Sequence, residues 1–103
     1  MGSPFIYYKR ALQYFANTLA HVEDDSLAAR LFEEQSEEKL ENFINEKKKD
    51  FDEKVFFFEA GRAYQQVSIE AWEEGGDALN ASFGGLLSFA EFVGAREPDP
   101  DDD

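Results

Sequence analysis

The chain contains no cysteine. That one absence removes disulfides, thiolate metal sites and thiol nucleophiles together. It is consistent with a reducing compartment, and a cytoplasmic location is expected. Histidine occurs once, as His21. Without a second histidine or a thiolate, a transition-metal site of the usual kind cannot be assembled in one chain. His21 falls near the C-terminal end of a helical pattern, where the helix dipole favours an imidazolium. A capping role is therefore expected of it, not a catalytic one. Phosphate-cradling loops are lacking too, since Gly84-Gly85 lies between apolar residues with no lysine following. "DFDEK" at 50–54 lacks the third ligand and the glycine of a calcium loop. No cofactor and no metal are expected.

Two further absences concern location and partners. No basic leader followed by an apolar stretch opens the sequence, and no apolar run approaches the ~18 residues of a membrane span. A soluble, unexported chain that stays off the membrane is expected. Basic residues are scarce: 10 Lys and Arg stand against 23 Asp and Glu, a net charge of −13. Phosphate is repelled by such a field, so direct nucleic-acid binding is disfavoured. A protein partner with a basic surface is instead steered toward it.

What is present is material for a core. Apolar residues make up 43% of the 103 residues, and aromatics 16%, including 11 Phe. One domain of this length can bury such a core without staples, and the composition is not that of a disordered chain. Ser3-Pro4 is a good helix start. After it, Phe5, Tyr8, Leu12, Phe15, Leu19 and Val22 recur at 3-4-3-4-3 spacing, which predicts a helix to about residue 22. A second helix is expected from Asp25 or Ser26, burying Leu27, Ala28, Leu31 and Phe32, with a break near Gln35-Ser36. From Ser36 the apolar spacing resumes through Leu40, Phe43, Ile44, Phe51, Val55 and Phe58.

The stretch "KVFFFEAGRAYQQVSIEAW" at 54–72 reads two ways. As a helix it has one ridge of Phe51, Val55 and Phe58 and a second of Phe56, Ala60, Ala63 and Val67. Phe57 and Tyr64 widen the apolar side, and the segment would then be the central helix of a bundle. As strands, it would pair across "EAGR". Strong helix formers at Glu59, Ala60, Arg62, Ala63, Gln65 and Gln66 favour the helix. "EAGR" also lacks the chemistry of a tight hairpin turn. Gly75-Gly76 should stop this element and Asp77 should cap the next. That next element, interrupted at Gly84-Gly85, would present Leu86, Phe89, Ala90 and Val93 on one short helix face. The expectation is a single all-α domain over 1–95, a bundle of three to five helices, with a disordered acidic tail at 96–103. The alternative is α+β with a hairpin over 54–72.

Two features point to a function. Glu34, Glu38 and Glu41 fall on one helix face, with Glu33 and Glu37 as a second row. Carboxylates one turn apart stand ~6 Å from each other, close to the phosphate repeat of a nucleic-acid strand. The competing reading is a solvated face balanced by Lys39 and by Lys47-Lys48-Lys49. Trp72, beside the Gly75-Gly76 break, has the character of an interface anchor. Tyr7, Tyr14, Phe83 and Phe92 are hard to bury together in so small a domain, and some of them are expected in a contact surface. Failing the acidic face, the C-terminal segment with Phe83, Phe89 and Phe92 is the place to look. A non-enzymatic protein-binding module is thus expected, a stoichiometric inhibitor or adaptor docking an acidic helical surface onto a basic, nucleic-acid-binding surface. Virus-encoded proteins that block host defence are analogous in type. The alternative is a structural subunit that self-associates through its apolar, Gly-rich C-terminal segment.

Overall fold

The computed structural model describes residues 5–20 and 36–94. They form four helices and no strand: α1 (Phe5–Leu19), α2 (Glu37–Lys48), α3 (Glu53–Glu74) and α4 (Gly76–Val93). The all-α bundle is the fold, and the hairpin over 54–72 is not formed. Helix formers on both sides of Gly61, from Glu59 to Gln66, carry the helix through the place of its turn. The cap at Ser3-Pro4, His21, the helix expected from Asp25 or Ser26 and the tail at 96–103 all lie outside the described residues.

α1 is the central helix. Tyr7, Tyr8, Ala11, Leu12, Phe15, Ala16 and Leu19 are all buried, so its apolar side wraps well beyond the single stripe of the sequence pattern. It packs against α2, α3 and α4 alike. The central position expected of the 54–72 segment therefore belongs to α1. Small Ala11 and Ala16 beside the larger side chains let α1 be approached from several directions. Phe15 sits at the middle of the core, its ring 4.8 Å from that of Phe56 and 5.8 Å from that of Phe89. Tyr8 meets Phe92 edge to face at 6.5 Å.

Local chemistry sets the boundaries. Ser36 caps α2, its hydroxyl accepting from the Lys39 N–H at 3.2 Å. α2 buries Leu40 and Ile44 and then ends in a turn before residue 52. The apolar spacing that runs on through Phe51 in the sequence is thus divided between two helices. Asp52 starts the second one, accepting from the Lys54 N–H at 2.9 Å. On α3 the buried ridge is Phe56, Ala60, Ala63, Val67 and Ala71. Val55 and Phe58, expected to share the core, face solvent.

Gly75, at φ 124°, joins α3 to α4 in a conformation that side chains resist. Gly75 itself is the N-cap of α4, so Asp77 stands in the first helical turn and not at the cap expected for it. A carboxylate there still favours the helix dipole. α4 runs unbroken through Gly84-Gly85, because Gly85 is buried in the bundle and packing outweighs its low helix propensity. Leu86, Phe89 and Val93 enter the core as expected. Gly94, at φ 83°, ends the helix. Among the described residues no helix is long and apolar enough to cross a membrane.

Candidate protein-binding surface

The carboxylates proposed as a phosphate-like row divide into three groups. Glu33 and Glu34 lie outside the described residues. Glu37 and Glu38 occupy the first turn of α2, where carboxylates complement the helix dipole, and Glu38 is exposed. Glu41 turns toward α1 and accepts a hydrogen bond from the Tyr8 hydroxyl. Burial, then that bond, then the charges of Glu41 and Glu37 push the Tyr8 hydroxyl well above the ordinary tyrosine range. Glu41 is therefore occupied by the fold. Beyond it, the exposed positions of α2 are Asn42, Asn45, Glu46 and Lys48. Lys47 lies over the Phe43 ring at 5.8 Å, and Lys48 over Phe56 at 5.4 Å and Phe57 at 5.9 Å. The described acidic face is one turn deep and gives way to a basic end.

Trp72 sits in the last full turn of α3 and is 70% exposed. Acids surround it in the chain at Glu70, Glu73, Glu74 and Asp77. Two of these are engaged. Arg10 donates to Glu74 at 3.2 Å and stands 4.0 Å from Glu70. Glu70 also accepts from the Tyr14 hydroxyl and, at 3.0 Å, from the Gln66 amide. Burial alone would lower the Arg10 pKa. The hydrogen bond and charge of Glu74, followed by the charge of Glu70, outweigh it and hold the guanidinium above its ordinary value. Glu73 and Asp77 are exposed.

Tyr8 and Arg10 are two residues apart, about 200° around α1. Their partners Glu41 and Glu74 consequently flank α1 from opposite sides. The structure does not bring Trp72 into one surface with Glu37 and Glu38. It offers two separate acidic areas, one at the start of α2 and one at the α3–α4 corner.

A surface that the sequence reading does not assemble lies on the outside of α3: Val55 and Phe58 are expected in a buried ridge, Ile69 and Trp72 are not. Val55, Phe58 and Ile69 are 46%, 65% and 45% exposed, and Trp72 continues their line. The signal was present as 3-4 spacing, but hydrophobicity alone could not say that this line faces away from α1. The C-terminal apolar segment has less to offer: Phe89 is buried and Phe92 packs on Tyr8, leaving Phe83 and Leu87 outside. Between α1 and α3 a shallow polar cleft of about 210 Å³ is lined by Tyr14, Thr18, Arg62, Ala63 and Gln66. Among the described residues no group of three acidic or histidine side chains is placed to hold a metal ion. No protein-family model, no curated protein sequence and no solved structure matches the chain.

Proposed function

We propose that the chain is a non-enzymatic protein-binding module that docks acidic helical surfaces onto a basic region of a partner protein. The observation that supports this most is the corner at Trp72. A large aromatic side chain on the last turn of α3 stands 70% exposed, beside the exposed carboxylates of Glu73 and Asp77. Aromatic anchors carry much of the energy of protein interfaces, while the surrounding charge sets encounter rate and partner choice. Glu37 and Glu38 supply a second acidic area of the same sign, and Glu33 and Glu34 precede them in the sequence. In its sharper form the module is an inhibitor or adaptor in the cytoplasm that occupies a nucleic-acid groove of its partner. A virus-encoded anti-defence protein would act in this way. It does not itself bind nucleic acid.

The test is retention of a partner from host lysate on the immobilised chain. Retention should fall as salt rises, should be competed by duplex DNA or RNA, and should be lost in Trp72→Ala and in Glu37→Lys/Glu38→Lys. Retention that ignores salt and nucleic-acid competitor removes the basic-groove reading. Turnover of any substrate that depends on the Tyr14, Thr18 and Arg62 cleft removes the non-enzymatic one.

A further inference from the structure

The outward face of α3 repeats with coiled-coil spacing. Val55, Phe58, Arg62, Gln65, Ile69 and Trp72 follow one another at 3-4-3-4-3 residues, which keeps them on one side of the helix. All six are exposed. They lie opposite Phe56, Ala60, Ala63, Val67 and Ala71, which face the core. Along the line the character runs apolar pair, polar pair, apolar pair, and it reads the same in reverse.

We propose that α3 pairs with α3 of a second copy, antiparallel, about a two-fold axis between residues 63 and 64. Val55 then meets the partner's Trp72, Phe58 meets the partner's Ile69, and Arg62 meets the partner's Gln65. Each apolar layer joins a large side chain to a smaller one, which fills space evenly. A parallel pair in register would instead stack Trp on Trp and Val on Val, and would set Arg62 against Arg62. Like charges opposed in this way are destabilising. The antiparallel pair gives each Arg62 the amide oxygen of a Gln65. It also opposes the two helix dipoles.

Steric and area considerations agree. Gly61 is exposed, with open space where a side chain would stand, and Ser68 is the next residue on that flank. Small residues there let the second backbone approach. Trp and Phe side chains bury ~150–250 Å² each, so Trp72 and Phe58 together leave roughly 250–300 Å² uncovered at their stated exposures. Doubled by the symmetry, with Val55, Ile69 and the stems of Arg62 and Gln65 added, the contact reaches the ~1,000 Å² of a weak, specific interface. At each end the partner's Glu73 comes level with Lys54 and near Asp52, so charges of both signs meet there. With −13 on each copy, pairing should tighten as salt rises. Docking to a basic partner has the opposite salt dependence and competes with this pairing for Trp72.

Sedimentation equilibrium on the intact chain, from micromolar to millimolar concentration, should show a monomer–dimer equilibrium that strengthens with salt. Phe58→Ser/Trp72→Ser should abolish it while leaving helical circular dichroism unchanged. Gln65→Glu should tighten the dimer about 3- to 10-fold, since two symmetric ion pairs to Arg62 form. In a parallel dimer the same change would set Glu against Glu and weaken it. Orientation is also read by cross-linking in this cysteine-free chain. Phe58→Cys and Ile69→Cys should form a disulfide only when the two variants are mixed. Either alone places its thiols ~16 Å apart along the pair, too far to bridge. Self-cross-linking of each single variant overturns the antiparallel geometry. A chain that stays monomeric at millimolar concentration overturns the pairing, whether residues 21–35 or another protein covers the face.

Discussion

The two faces of α3 differ in a direction opposite to expectation. Its inner face is made of Phe56, Ala60, Ala63, Val67 and Ala71, three of them alanine. Its outer face holds Val55, Phe58, Ile69 and Trp72, larger on average and left in solvent. A helix selected only to fill a core would place the bulk inside. Alanine on the inside lowers the height of the contact and lets α1 and α4 lie close, since interaxial distance follows side-chain size. Bulk on the outside adds less to the stability of the monomer than the same bulk would inside. Pairing with a second copy, as proposed above, would cover it.

The largest effect that could break this comparison is at its two phenylalanines. Phe56→Ala should cost about 3–5 kcal/mol, the usual range for a fully buried aromatic, because its ring packs on Phe15. Phe58→Ala, two residues away and 65% exposed, should stay within about 0.5 kcal/mol. Urea unfolding at a concentration where the chain is monomeric measures both. Equal costs would mean that the outer face is covered within the monomer.

Next in size is the close approach on the inner face. Ala63→Leu should destabilise by about 1–3 kcal/mol, as overpacked cores do. A neutral result would show that α1 and α3 do not rely on small residues to meet.

A similar contrast on α2 separates Glu41, which Tyr8 holds, from the exposed Glu38. Tyr8→Phe should cost about 1 kcal/mol, the net worth of a typical hydrogen bond, and Glu38→Gln almost nothing. The pH dependence sharpens this. The folded state holds the Tyr8 proton more tightly than the unfolded chain does. Its contribution is thus fully present below the ordinary tyrosine value near ~10, and is lost as pH rises beyond it. Comparing alkaline unfolding of the wild type and of Tyr8→Phe isolates that part of the loss.

The smallest effect is Gly61→Ala. With open space at its side-chain position, the change should stabilise the monomer by about 0.5–1 kcal/mol through helix propensity alone. A thermal scan on dilute protein checks it. If a second copy approaches at Gly61, the same variant should weaken self-association.

Much of the fold was legible because spacing and caps agree. Tyr8, Leu12, Phe15 and Leu19 form the predicted stripe, and Ser36 marks a helix start where the apolar ridge lapses. Spacing marks ridges without ranking them, however: it offered Phe51, Val55 and Phe58 beside Phe56, Ala60, Ala63 and Val67, and the second ridge is the one α3 buries. Close helix packing chose the alanines, and no local pattern reports how near a neighbour will come. The Gly84-Gly85 break failed for a related reason: the cost of two glycines in α4 is local, while the packing that offsets it is not. Of the candidate site, Trp72 was legible as a lone large aromatic beside a stop signal. That Glu41 belongs to Tyr8, 33 residues earlier, was not, because a carboxylate's partner depends on which helices meet.

The position of α1 also sets a timetable. It is the first described helix in the chain, yet Phe89 and Phe92 of the last one close its core through Phe15 and Tyr8. At ~5–20 residues per second of synthesis, the 74 residues between Leu19 and Val93 take roughly 4–15 s to follow. Throughout that interval α1 is without its last partner. The core around Phe15 therefore closes only once α4 has been made, and until then the Phe and Leu side chains of α1 lack part of their cover.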